Sequence, residues 1–346
     1  MIKYVNKCYL DAGEQLLDEF GSILPEGMES LGEYEGLSGL GVDKLLSEIY
    51  AIANGAGSEI ISFFLLLFGI GVLIAVASLV RAPYDGIVSG GVAAVSSFAI
   101  FMSIRPLYES VFMALGEINS FFSALMPVIA SGLALGGAVN TSGTAAVGMQ
   151  ITLWLVGTIS EILLTPLIAA IIATAASASF SGIGAGRVSK GIKNAFTKSV
   201  GAVGTVISAV LALQTSISAA GDSAIIRAAK YAAGNMIPVV GSAVSGALST
   251  VTGGLLYAES IIGVGSIVAI VSIALSPLVL LLLYKLCFYV VGLFLEFATK
   301  SGGVSCISGF SGAIDAMIAV YSMTIIVYIL EIVMLVGGGA SLLGGL

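Results

Sequence analysis

A lone carboxylate, Glu161, is the first residue that chemistry could use, because it is the single charge between Ile118 and Gly186. At the centre of a membrane span such a group costs about 2.5–3.5 kcal/mol, so it would line a polar cavity or accept a proton. At a turn between two short spans it would reach headgroups instead. The usual companions of catalysis are missing. The chain has no histidine, and its three cysteines, Cys8, Cys287 and Cys306, have no CxxC spacing. That removes the commonest general base, the Ser/His/Asp triad and a structural zinc site. The thiols read as structural, since free cysteine is usually buried. GIGAGR at Gly182–Arg187 lacks the GxxxxGK[ST] pattern and adjoins an apolar run rather than a βαβ unit, so it is not a phosphate loop. These residues predict a protein that is not an enzyme and takes no cofactor or metal.

Two basic segments are better placed to act on surfaces. In the first, Arg187, Lys190, Lys193 and Lys198 share one helical face with Asn194, while Val188, Ile192, Ala195 and Phe196 lie opposite. This is a basic interfacial helix, and the positive-inside rule places it in the cytoplasm. The second lies in QTSISAAGDSAIIRAAKYAAGNMIPVVG, Gln214 to Gly241. Ile225, Ile226, Ala229, Ala232, Ala233 and Met236 form one face of it, and Arg227, Lys230, Tyr231 and Gly234 the other. Asp222 is its N-cap, and Pro238 ends it.

The elements around these segments are greasy. A mean hydropathy of +1.10 with 10% charged residues is far from a soluble domain, in which about a quarter of residues are charged. The net charge of −7 belongs to the N-terminal region, since residues 1–59 hold 11 acids and three bases. An acidic tail and scattered bases exclude nucleic acid as a partner. Residues 1–58 read as an acidic, extracytoplasmic helical region, with a helix near Val42 to Asn54 whose apolar face is Val42, Leu45, Leu46, Ile49 and Ile52.

Uncharged runs then follow at Ile60–Val80, Gly86–Ile104, Ser199–Gly221, Tyr231–Ala258 and Ser260–Tyr284. Spans also come from the stretch around Glu161, which includes an apolar tract from 144 to 180 that is too long for one crossing, and from a last run through Glu331. The expectation is an all-α polytopic integral membrane protein with eight or nine transmembrane helices. Lys285 reads as a boundary residue that snorkels, and Glu296, Asp315 and Glu331 as lying near span ends. Glycines inside the runs, as in Gly86-x-x-x-Gly90 and Gly132-x-x-x-Gly136, let helices approach closely.

Self-comparison adds a tandem repeat of period 111, in which Pro127 aligns with Pro238 and Pro166 with Pro277, with 15 identities between residues 127–207 and 238–318. The division that follows is an acidic region at 1–58, a transmembrane hairpin at 59–105, repeat unit 1 at 106–221 and repeat unit 2 at 222–346. Two such halves would place a path at their interface.

The Gln214–Gly241 block resembles the stage III sporulation protein AE family, in which an Asp, a basic amphipathic helix and a GN-x-IPVVG run recur. The matching residues are Asp222, Arg227, Lys230, Gly234, Asn235, Ile237, Pro238, Val239, Val240 and Gly241. The family's N-terminal signal sequence has no counterpart in MIKYVNKCYLDAGEQ, which lacks an apolar h-region. The resemblance implies a subunit of a sporulation channel or secretion-like complex in the mother-cell membrane around the forespore. Its partners would be an ATPase, ring-forming membrane subunits and the lipid bilayer. Two alternatives stand on the same residues: a secondary transporter built from two repeats, and a membrane subunit of a conjugation-type secretion system.

Overall fold

The computed structural model describes residues 42–79, 85–135, 139–159, 241–298 and 303–344, with isolated positions 194 and 205. Among the described residues there are six helices and no strand: α1 (Val42–Gly55), α2 (Gly57–Ala77), α3 (Asp85–Leu135), α4 (Val139–Ile159), α5 (Gly241–Ala298) and α6 (Gly303–Gly344). The chain is therefore all-α over this range. The helix expected near Val42 to Asn54 is α1, which packs on α5 with Ile49 and Ile52 half-buried and Leu46 exposed.

Four of these helices contain stretches long and apolar enough to cross a membrane: Gly57–Ala77, Gly90–Ala134, Gly265–Ala298 and Ile307–Val333. The chain is a membrane protein on this composition, but the described helices do not divide into the eight or nine spans expected. Tyr231–Ala258 and Ser260–Tyr284 were expected as two spans, yet from Gly241 onward they belong to one 58-residue helix. Likewise α3 runs through Arg105 and Pro106 without a stop. Charge spacing cannot reveal such continuity. A single Glu or Arg breaks an uncharged run without breaking a helix, because both are good helix formers.

The period-111 repeat is not reproduced either. At that offset the break between Leu135 and Val139 falls inside α5, which is uninterrupted there. Chance identities in a chain this rich in small and aliphatic residues are the physical reason. Pro127 is internal to α3, and its partner Pro238 lies outside the described residues.

Pairwise contacts fix the directions. Glu59 meets Tyr284, Phe63 meets Tyr284 and Phe288, and Phe68 meets Phe294, so α2 and α5 run parallel. Lys285 meets Ser311 and Asp315, and Tyr321 meets Ala274, so α5 and α6 are antiparallel. Ser142 meets Ala130, and Gly157 approaches Asn119, so α3 and α4 form an antiparallel hairpin. One apolar core runs through the whole assembly, from Phe63 and Leu67 on α2 to Ile332 and Leu335 on α6. The long helices far exceed a bilayer: at 1.5 Å per residue, the 58 residues of α5 extend about 87 Å, against about 30 Å of hydrocarbon.

Candidate functional site: a buried carboxylate between three helices

On α6, Thr324, Tyr328, Glu331 and Leu335 are all buried. Their spacing of four, three and four residues makes one inward stripe of a helix. That stripe carries Glu331 into the core, where it is 1% exposed. On α4 the inward stripe is Ala145, Met149, Thr152 and Val156, and the Thr152 side chain faces Glu331. On α3, Phe121, Phe122 and Leu125 fill the same level.

The polar groups of this layer come from all three helices. Tyr328 donates its hydroxyl proton to Asn119 Oδ1, and its ring packs on Phe122 at 4.4 Å between centroids. Asn119 Nδ2 lies 3.8 Å from where a side chain at Gly157 would begin, an ordinary contact distance that brings α4 alongside the amide. Neither oxygen of Glu331 has a hydrogen bond among the described residues by strict geometry. An enclosed carboxylate of this kind needs a proton or a counter-charge, since a buried bare charge is costly.

A second polar cluster lies further along the bundle. Lys285 Nζ is 2.6 Å from Asp315 Oδ1 and donates at 2.7 Å to the Ser311 hydroxyl. Tyr284 donates to Glu59 at 3.0 Å. Lys285 is thus held by an ion pair across α5 and α6, with the two side chains 29% and 28% exposed. It lies inside the Gly265–Ala298 stretch rather than at its end. Glu331 is close to the end of the apolar stretch Ile307–Val333, as expected, but it is buried in the core and α6 continues to Gly344. The Thr324–Tyr328–Glu331–Leu335 spacing is the signal that it faces inward.

The residues singled out on the sequence are mostly elsewhere. Glu161 lies beyond the end of α4 and outside the described residues. So do Arg187, Lys190, Lys193 and Lys198, and so do Asp222, Arg227, Lys230, Gly234, Asn235 and Pro238. Gly241 is the first residue of α5. Cys287 is a free, buried thiol on α5. No group of three His, Cys, Asp or Glu side chains able to hold a metal ion occurs among the described residues.

What the described layer offers is therefore a set of polar groups joining three helices, with no nucleophile paired to a base in it. No curated protein and no solved structure matches the chain. The family of stage III sporulation protein AE matches residues 38–339, a range that takes in all of α1 to α5 and nearly all of α6. With that match over most of its length, the chain belongs to the stage III sporulation protein AE family.

Proposed function

We propose that the protein is a polytopic membrane subunit of a multiprotein sporulation complex that links mother cell and forespore. The observation that carries this reading is the family match over residues 38–339, joined to four apolar helices of membrane-spanning length. In this reading the protein forms or braces a conduit in the mother-cell membrane. It works with an ATPase and ring-forming membrane subunits, and its N-terminal region is extracytoplasmic. Helices much longer than the bilayer support the bracing role, because they extend past the lipid to where partner subunits can dock.

The transporter alternative drew on a two-unit repeat that the described helices do not reproduce, and no observation favours it or the conjugation-type reading. The decisive test is a deletion strain together with affinity purification of the tagged protein from sporulating cells. The proposal expects arrest of forespore development and copurification of the ATPase and ring-forming subunits. Normal spores from the deletion strain would overturn it, as would recovery of the protein alone from membranes that contain the other subunits.

A further inference from the structure

Glu331 is held where its charge has nothing to answer it. The residue is buried, and neither carboxylate oxygen has a hydrogen bond among the described residues. Two bases of the described helices are engaged at a distance. Lys285 pairs with Asp315, which at 1.5 Å per residue lies about 24 Å from Glu331 along α6. Arg105 pairs with Glu109 on an exposed face of α3.

The helices packed against α6 supply oxygen atoms to this level rather than positive charge. Helix α4 has no ionisable side chain anywhere between Val139 and Ile159. It presents Thr152, which is buried and faces Glu331. On α5, the antiparallel register set by Lys285 with Asp315 and by Ala274 with Tyr321 brings the buried Ser266 to the height of Glu331. No charged residue lies between Ser266 and Lys285, and Glu259 comes about two turns before Ser266. On α3 the ionisable neighbour is Glu117, which is exposed and whose field falls on Tyr321. Tyr328, one turn before Glu331 on α6, already gives its hydroxyl proton to Asn119. The other acids in this region add negative charge, so they deepen the need for a cation.

We infer that Glu331 and Thr152 form a binding site for a small monovalent cation, a proton or an alkali-metal ion, that joins α4 to α6. A carboxylate shut into a membrane core persists only when its charge is neutralised. With a proton, the carboxyl group can donate to the Thr152 hydroxyl. An alkali-metal ion would take oxygen atoms from both side chains. A divalent ion fits less well, because one carboxylate leaves it undercharged. Helix α4 packs chiefly on α3 and touches α6 only briefly, so this site governs how firmly α4 is held to the α5–α6 pair. The inference rests on the described helices and not on the sporulation role, which stands or falls by the deletion strain.

The test uses the purified full chain in detergent, with Glu331→Gln as a variant of the same shape that carries no charge to neutralise. Thermal midpoints are compared over a pH series in choline chloride, and then at fixed alkaline pH as NaCl or KCl replaces choline chloride at constant ionic strength. In choline chloride the parent should drop below the Glu331→Gln protein as the pH rises. Recovery of the parent on adding NaCl or KCl identifies an alkali-metal ion, and no recovery identifies a proton. Thr152→Val should raise the cation concentration needed for half of the effect about tenfold, while Thr152→Ser, which keeps the hydroxyl, and Glu117→Gln should respond like the parent. A gap between parent and Glu331→Gln that stays constant through both series overturns the inference, because no exchangeable cation then answers the carboxylate. A Thr152→Val protein that responds like the parent overturns it too, because the site would then not include α4.

Discussion

Glu331 and Tyr328 carry different energetic loads although they share a stripe of α6. The Glu331 carboxylate is enclosed without a formed hydrogen bond among the described residues, so removing its charge while keeping its shape should stabilise the fold. Glu331→Gln is expected to raise the thermal midpoint of the purified protein in detergent, whereas Glu331→Lys should abolish a folded peak in size-exclusion chromatography. Tyr328→Phe keeps the ring contact with Phe122 and deletes only the bond to Asn119. Hydrogen bonds between membrane helices average about 0.6 kcal/mol, so a loss of about 0.5–1.5 kcal/mol is expected, measured by the same melts. The inward position of Glu331 was legible from its spacing to Thr324, Tyr328 and Leu335. Its company was not. Thr152 and Asn119 belong to helices distant in sequence, and a one-dimensional pattern holds no information on which stripes face each other.

At the scale of elements, the close approach of α2 and α5 depends on Gly71. A methyl group added there would meet Val291 Cγ1 at 3.3 Å, closer than an ordinary contact, so the valine must give by a few tenths of an ångström. Gly71→Leu should then cost about 1–3 kcal/mol by overpacking, while Gly69→Leu, whose added carbon meets open space, should melt like the parent. The ion pair between α5 and α6 makes a separate prediction. A double-mutant cycle on Lys285→Met and Asp315→Leu should return a coupling of about 1 kcal/mol, because both partners are only partly shielded from solvent. Helix existence was well read from the apolar runs, and α2 begins within a turn of the charge at Glu59 that marked its run. Helix length was not. Pro106, Pro127 and Pro277 sit inside α3 and α5 without ending them. Proline removes one amide donor, but neighbouring helices hold the rest of the ladder together. One residue from the Ile273 carbonyl that Pro277 leaves without its amide donor, the Tyr321 hydroxyl donates to the Ala274 carbonyl.

For the whole molecule, membrane class was legible from hydropathy alone, and family membership from the block around Asp222 and Pro238. The span count was not, because apolar residues buried between helices and apolar residues facing lipid look alike in a sequence. Ile270 and Leu281 are buried between helices, whereas Leu65 and Leu293 are exposed on the outside of the bundle. The family block makes its own prediction at this scale. Replacing Arg227 and Lys230 together with Glu should lower recovery of partner subunits with the tagged protein and reduce sporulation, by reversing charge on the face proposed to dock or to seat on the membrane. Full recovery and normal sporulation in that double variant would strip the block of a special role.

The junction of α1 and α2 bears on how the assembly could be handled mechanically. The amide of Ala56 bonds to Ile52 at 2.9 Å and that of Ile60 to Ala56 at 2.9 Å, but Ala56 itself is a turn residue that divides the two helices. The helical ladder is interrupted at that one residue. A subunit that gripped α1 would therefore meet a compliant coupling, able to pull on α2 without driving it as a rigid rod.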